Sequence, residues 1–73
     1  MNAARKAVRT KAARKTLQAV YGETTRMVLM DLVQGRDDND VMGWNGLTRQ
    51  SLAAYKANLT RGTYGKLLRD CNF

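Results

Sequence analysis

A single cysteine, Cys71, and no histidine in 73 residues leave this chain without an internal disulfide or a structural zinc site. A chain of this length buries only about 60% of its unfolded surface. Its stability must therefore come from close helix packing, from self-association or from a ligand. Proline is absent, and Ala, Leu, Lys, Arg and Met are abundant. That composition predicts an all-α fold of three or four helices. No apolar run approaches the roughly 18 residues of a membrane helix. The lone thiol fits a reducing, cytoplasmic compartment.

Net charge is +7, unevenly spread. Residues 1–15 carry six basic side chains (Arg5, Lys6, Arg9, Lys11, Arg14 and Lys15) and no acid. Residues 16–47 hold two Arg against five acids, and residues 48–73 hold five basic residues against Asp70. A basic arm, an acidic middle and a basic end suit a nucleic-acid binder whose positive surface is confined to its contacting parts.

The stretch Gln50 to Arg69 reads as two short helices with a tight turn. Thr48 can cap the first, with Leu47 and Leu52 spaced as a hydrophobic staple. Thr60 repeats the arrangement for the second helix, with Leu59 and Tyr64 as its staple. Asn58 between them tolerates a left-handed backbone. Leu52, Ala53, Ala57, Leu59, Tyr64, Leu67 and Leu68 can turn inward, and Ala54 is small enough for a close helix crossing.

This order (Gln50, Ala53-Ala54, Asn58-Leu59-Thr60, Tyr64, Leu67) resembles the helix-turn-helix of bacterial, phage and plasmid DNA-binding regulators. The resemblance spans residues 48–69 and lies at the level of the motif. Asn58 stands where that family usually has Gly, and Gly62 and Gly65 fall inside the second helix. The resemblance implies a recognition helix over 60–69 and double-stranded DNA as partner. Thr60, Arg61, Thr63, Lys66 and Arg69 would then meet the DNA, with Arg61 and Lys66 on guanine edges and Arg69 on phosphate. Thr48, Arg49 and Gln50 suit phosphate contacts that fix register.

Upstream, residues 1–15 combine helix formers and positive charge, with alanines rather than large apolar residues in the gaps and little to anchor a core. They read as an arm, flexible when free and helical on an anionic partner. A solvated basic helix is the plainer reading. A secretory signal is excluded by the lack of an apolar central run. The domain proper is residues 16–73. Its main helix runs from Thr16 to Gln34, with Leu17, Tyr21, Thr24, Val28 and Leu32 on one face and Gly22 a point where it can split. Met27, Leu29, Met30 and Val33 widen the apolar surface. Either all of this is ordinary core, or part of it pairs two copies as a homodimer.

Gly35 ends that helix, and Arg36 to Asp40 reads as an exposed acidic loop. Its carboxylates miss the calcium-loop pattern: counting from Asp38, Met42 and Arg49 fall at the fifth and twelfth positions, where ligands belong. Val41, Met42 and Trp44 are expected to fold under the helices, with Asn45-Gly46 as a turn. There is no His for a nucleophile–base pair, no Gly-rich phosphate loop and no facing pair of carboxylates. The residues point away from an enzyme and call for no metal or cofactor. Two classes stay open: a DNA-binding regulator, and a small protein-binding adaptor or inhibitor of the mobile-element type. An RNA-associated basic protein is a third, less supported by the aromatic content.

Overall fold

A computed structural model describes the backbone of residues 3–73 and the side chains from Val8 onward. The described residues form five helices and no strand: α1 Ala3–Tyr21, α2 Glu23–Val33, α3 Asp38–Asn45, α4 Arg49–Arg61 and α5 Gly65–Cys71. The all-α expectation holds, with one helix more than the sequence suggested. No described helix is long and apolar enough to cross a membrane.

Gly22 divides the long helix read from the sequence. Its φ of 101° and ψ of 160° lie in a region that essentially only glycine occupies. The break lets α1 and α2 pack on each other, and Arg26 Nε donates to Gln18 Oε1 across it at 3.0 Å. Glu23 then occupies the first turn of α2, favourable to the helix dipole.

The acidic stretch is a helix start and not a loop. Asp37 accepts a hydrogen bond from the Asn39 backbone N–H at 3.1 Å, so it is the N-cap of α3. Asp38 and Asp40 follow in the first turn, where negative charge is stabilised. Read by composition alone, the same residues suggest only solvent exposure.

α2 is the centre of the fold. It packs against α1 on one side and against α3 and α4 on the other, while α5 packs on α1. Val28 and Leu29, about 100° apart around the helix axis, feed two separate clusters. Val28 joins Val41 and Leu52, flanked by Leu32, Met42, Leu47 and Tyr55. Leu29 joins Ala13, Leu17, Tyr64 and Cys71, flanked by Leu59, Leu67, Leu68 and Phe73. Thr25 and the Tyr55 hydroxyl share a hydrogen bond at 3.2 Å, linking α2 to α4.

This two-sided packing accounts for the broad apolar surface of the main helix. Leu29 is fully buried and Met30 half-buried within one chain, so neither needs a second copy to cover it. Val20, Tyr21 and Val33 stay exposed, at 65%, 40% and 44%. Of the three residues expected to pair two copies, Leu29 and Met30 are covered within one chain and Val33 is not.

The basic arm also differs from expectation. Residues 3–15 belong to α1, and the core reaches back to Ala13. The boundary drawn at residue 15 thus falls inside a packed helix. Trp44, expected under the helices, is 63% exposed on α3 because Val41 takes the inward position.

Candidate nucleic-acid interface

α3 and α4 are joined by Gly46, Leu47 and Thr48. Gly46 is left-handed, with φ 63°, and the Leu47 N–H returns to the Met42 carbonyl at 3.0 Å. The Thr48 side chain accepts from the Ser51 N–H at 3.1 Å, so Thr48 caps α4 as its sequence position implies. Leu47 packs on the cluster that holds Leu52, which is the expected staple. A short glycine turn thus joins α3 to α4, one element earlier than the turn expected from the sequence.

The second turn and helix are not where the sequence placed them. Asn58, Leu59 and Thr60 continue α4 without a break, and the Thr60 hydroxyl donates to the Lys56 carbonyl at 3.0 Å instead of capping a new helix. The chain turns at Gly62, with φ 76°. There the Thr63 N–H bonds to the Asn58 carbonyl at 3.1 Å and the Gly62 N–H to the Leu59 carbonyl at 3.2 Å. That pair of bonds is a Schellman closure, which satisfies the last carbonyls of α4. Glycine adopts this conformation without the Cβ penalty that Asn58 would carry. Helix 60–69 is accordingly replaced by the end of α4 and a short α5. Ala53, Ala54 and Ala57, expected inward, lie exposed on the outer side of α4.

The candidate contact residues fall into three groups. Arg9, Lys11 and Lys15 are exposed on α1. Arg49 and Gln50 are exposed in the first turn of α4, beside the cap Thr48. Arg61, the last residue of α4, and Thr63 just beyond it are exposed, followed by Lys66 and Arg69 on the outer face of α5. The fold brings α1 and α5 side by side, whereas α4 packs on α2 and α3 and not on α1. The side chains of Arg5 and Lys6 lie outside the described residues.

Arg14 is spent inside the fold. Its Nε donates to the Cys71 carbonyl at 2.8 Å, its Nη2 donates to the Asn72 carbonyl at 3.2 Å, and its guanidinium sits 5.1 Å from the Phe73 ring centre. Lys56, not among the expected contact residues, pairs with Asp38 at 2.9 Å across α4 and α3. Neither role leaves a local sequence signal, since partner and residue are far apart in the chain. Asp31 is buried and accepts from Asn45 Nδ2 at 3.2 Å, which holds the end of α3 against α2.

Two titrating groups in the α1–α5 cluster are shifted. Burial pushes the Cys71 thiol above its ordinary value, with Arg14 opposing. Burial also raises the Tyr64 phenol, assisted by Tyr55 and opposed by Asn58. Tyr64 meets Tyr21 edge to face at 5.1 Å between ring centres, closing this end of the fold. A buried thiol shifted this way is a poor nucleophile. In comparison with known proteins, no family model, curated protein or solved structure matches the chain.

Proposed function

We propose that the protein binds double-stranded DNA. The observation that carries the reading is uncompensated positive charge. Arg9, Lys11, Lys15, Arg49, Arg61, Lys66 and Arg69 are all exposed, while the single ion pair among the described residues is Lys56 with Asp38. Self-repulsion of this kind disfavours the compact state and is relieved on a polyanion.

The α1–α5 surface would supply phosphate contacts through Lys11, Lys15, Lys66 and Arg69. The outer face of α4 carries Gln50, Ala53, Ala54, Ala57 and Arg61 at helical spacing, without an acid. Small side chains between a Gln and an Arg suit a helix laid in the major groove, where Gln reads adenine and Arg reads guanine. The α3–α4 turn would present that face, in place of the absent 60–69 helix.

Fluorescence anisotropy with a pool of random duplexes at two salt concentrations tests the reading. Each phosphate neutralised contributes about −0.9 to the salt slope. Lys66→Gln with Arg69→Gln should flatten it by about two units on every duplex. Gln50→Ala and Arg61→Ala should each cost about 1–3 kcal/mol on a selected site and little on random duplex. Absence of duplex binding at low salt would sink the proposal and leave a protein-binding adaptor as the better account.

A further inference from the structure

Two surfaces on helices that do not pack on each other carry complementary chemistry. On α3, Trp44 is 63% exposed, and it is the only tryptophan. Asp40 lies four residues before it, on the same flank of the helix. Val41 faces the core and Asp38 is occupied by Lys56, so Asp40 and Trp44 form an uncommitted carboxylate–indole pair.

On α1, Ala13 is the first buried residue after Val8. Val8 is 67% exposed, and Lys11 and Lys15 follow at i+3 and i+7, so all three share the face opposite Ala13 and Leu17. α1 packs on α2 and α5, and α3 packs on α2 and α4, so these two surfaces do not meet within one chain.

We propose that they meet between chains: the α3 face of one copy receives the outward face of α1 from a second. A lysine ammonium over the Trp44 ring makes a cation–π contact, the other lysine pairs with Asp40, and Val8 covers the indole edge. Charge decides against the alternatives. A symmetric α1–α1 contact sets Lys11 and Lys15 against their own copies, and a symmetric α3–α3 contact sets Asp40 against Asp40. Only the head-to-tail pairing matches opposite charges. Each copy then offers one α1 face and one α3 face, so copies either exchange both contacts in a closed pair or ring or add in an open series. One helix face on each side makes a small interface, of the weak and salt-sensitive class.

Sedimentation without nucleic acid tests this independently of the DNA reading. At about 0.1 M salt, average mass should climb with protein concentration above that of the monomer, with a blue shift of Trp44 emission. At about 1 M salt, where screening shortens from about 10 Å to about 3 Å, both changes should vanish. Lys11→Glu with Lys15→Glu should be monomeric, and so should Asp40→Lys. Mixing the two should restore association, because each swapped face then finds its opposite in the other variant. The α1 variant sits on a solvent face and tests the same contact even if Asp40→Lys weakens α3. A wild-type monomer at all concentrations overturns the proposal. So does association unchanged by either variant, or a mixture that stays monomeric.

Discussion

Arg14 Nε donates to the Cys71 carbonyl at 2.8 Å, joining α1 to the end of α5 across 57 positions of sequence. α5 has seven residues, too few to be stable alone, and its last carbonyls would otherwise face water. Arg14→Ala should lower stability by about 1–2 kcal/mol, the range for hydrogen bonds to a charged donor less the exposure of the second bond. Arg14→Lys should recover only part, since an ammonium lacks the planar fork. Lys15→Ala on the exposed side should stay within about 0.5 kcal/mol of wild type. Thermal melts of the three variants check the ordering.

The position of the turn after α4 has its own test. Gly62→Ala forces a side chain into a left-handed backbone and should cost about 1–2 kcal/mol. Asn58→Gly should cost about 0.3–0.5 kcal/mol through helix propensity. A turn at Asn58 would make the second change neutral or stabilising, so denaturant midpoints distinguish the two.

What the sequence revealed is what neighbouring residues decide. The Thr48 cap, the Leu47–Leu52 staple, the stop at Gly35 and the split at Gly22 depend on contacts within a turn or two, and all are present. The second cap failed because two local signals competed. Thr60 and the Leu59–Tyr64 pair favour a helix start, but Gly62 closes α4 more favourably by accepting the left-handed conformation without strain. Which alanines face outward could not be read, because that depends on α2 and α3 taking the Leu52 side of α4. The roles of Arg14 and Lys56 were invisible for the same reason: their partners come from distant segments.

Leu29 offers a check on where the core ends. Leu29→Ala and Leu17→Ala should each cost about 2–5 kcal/mol, comparable to the whole stability of a domain this small. Cooperative melting should disappear at dilute as well as high protein concentration. If Leu29 served an interface between copies instead, the loss would depend on concentration.

Stability should fall at alkaline pH. The Cys71 and Tyr64 groups ordinarily titrate at 9.0 and 10.0, and both are raised in the folded state. The unfolded chain therefore releases these protons first, so their contribution is complete below about pH 9 and declines as pH rises through the folded values. Melting temperature against pH should turn down above 9 in the wild type. Cys71→Ala with Tyr64→Phe should shift the onset upward.

The Val28 cluster draws only on residues 28–55, while the Leu29 cluster needs residues as far apart as 13 and 73. Closing the shorter loops costs less chain entropy, so α2, α3 and α4 can assemble before either terminal helix docks. The reverse route is then the easiest fluctuation of the native molecule: α1 and α5 swing away together while the middle persists. In that opened form the Cys71 thiol meets solvent. Its rate of capture by a thiol reagent becomes a clock for the motion, and its amide neighbours in α1 and α5 should exchange hydrogen at a common rate.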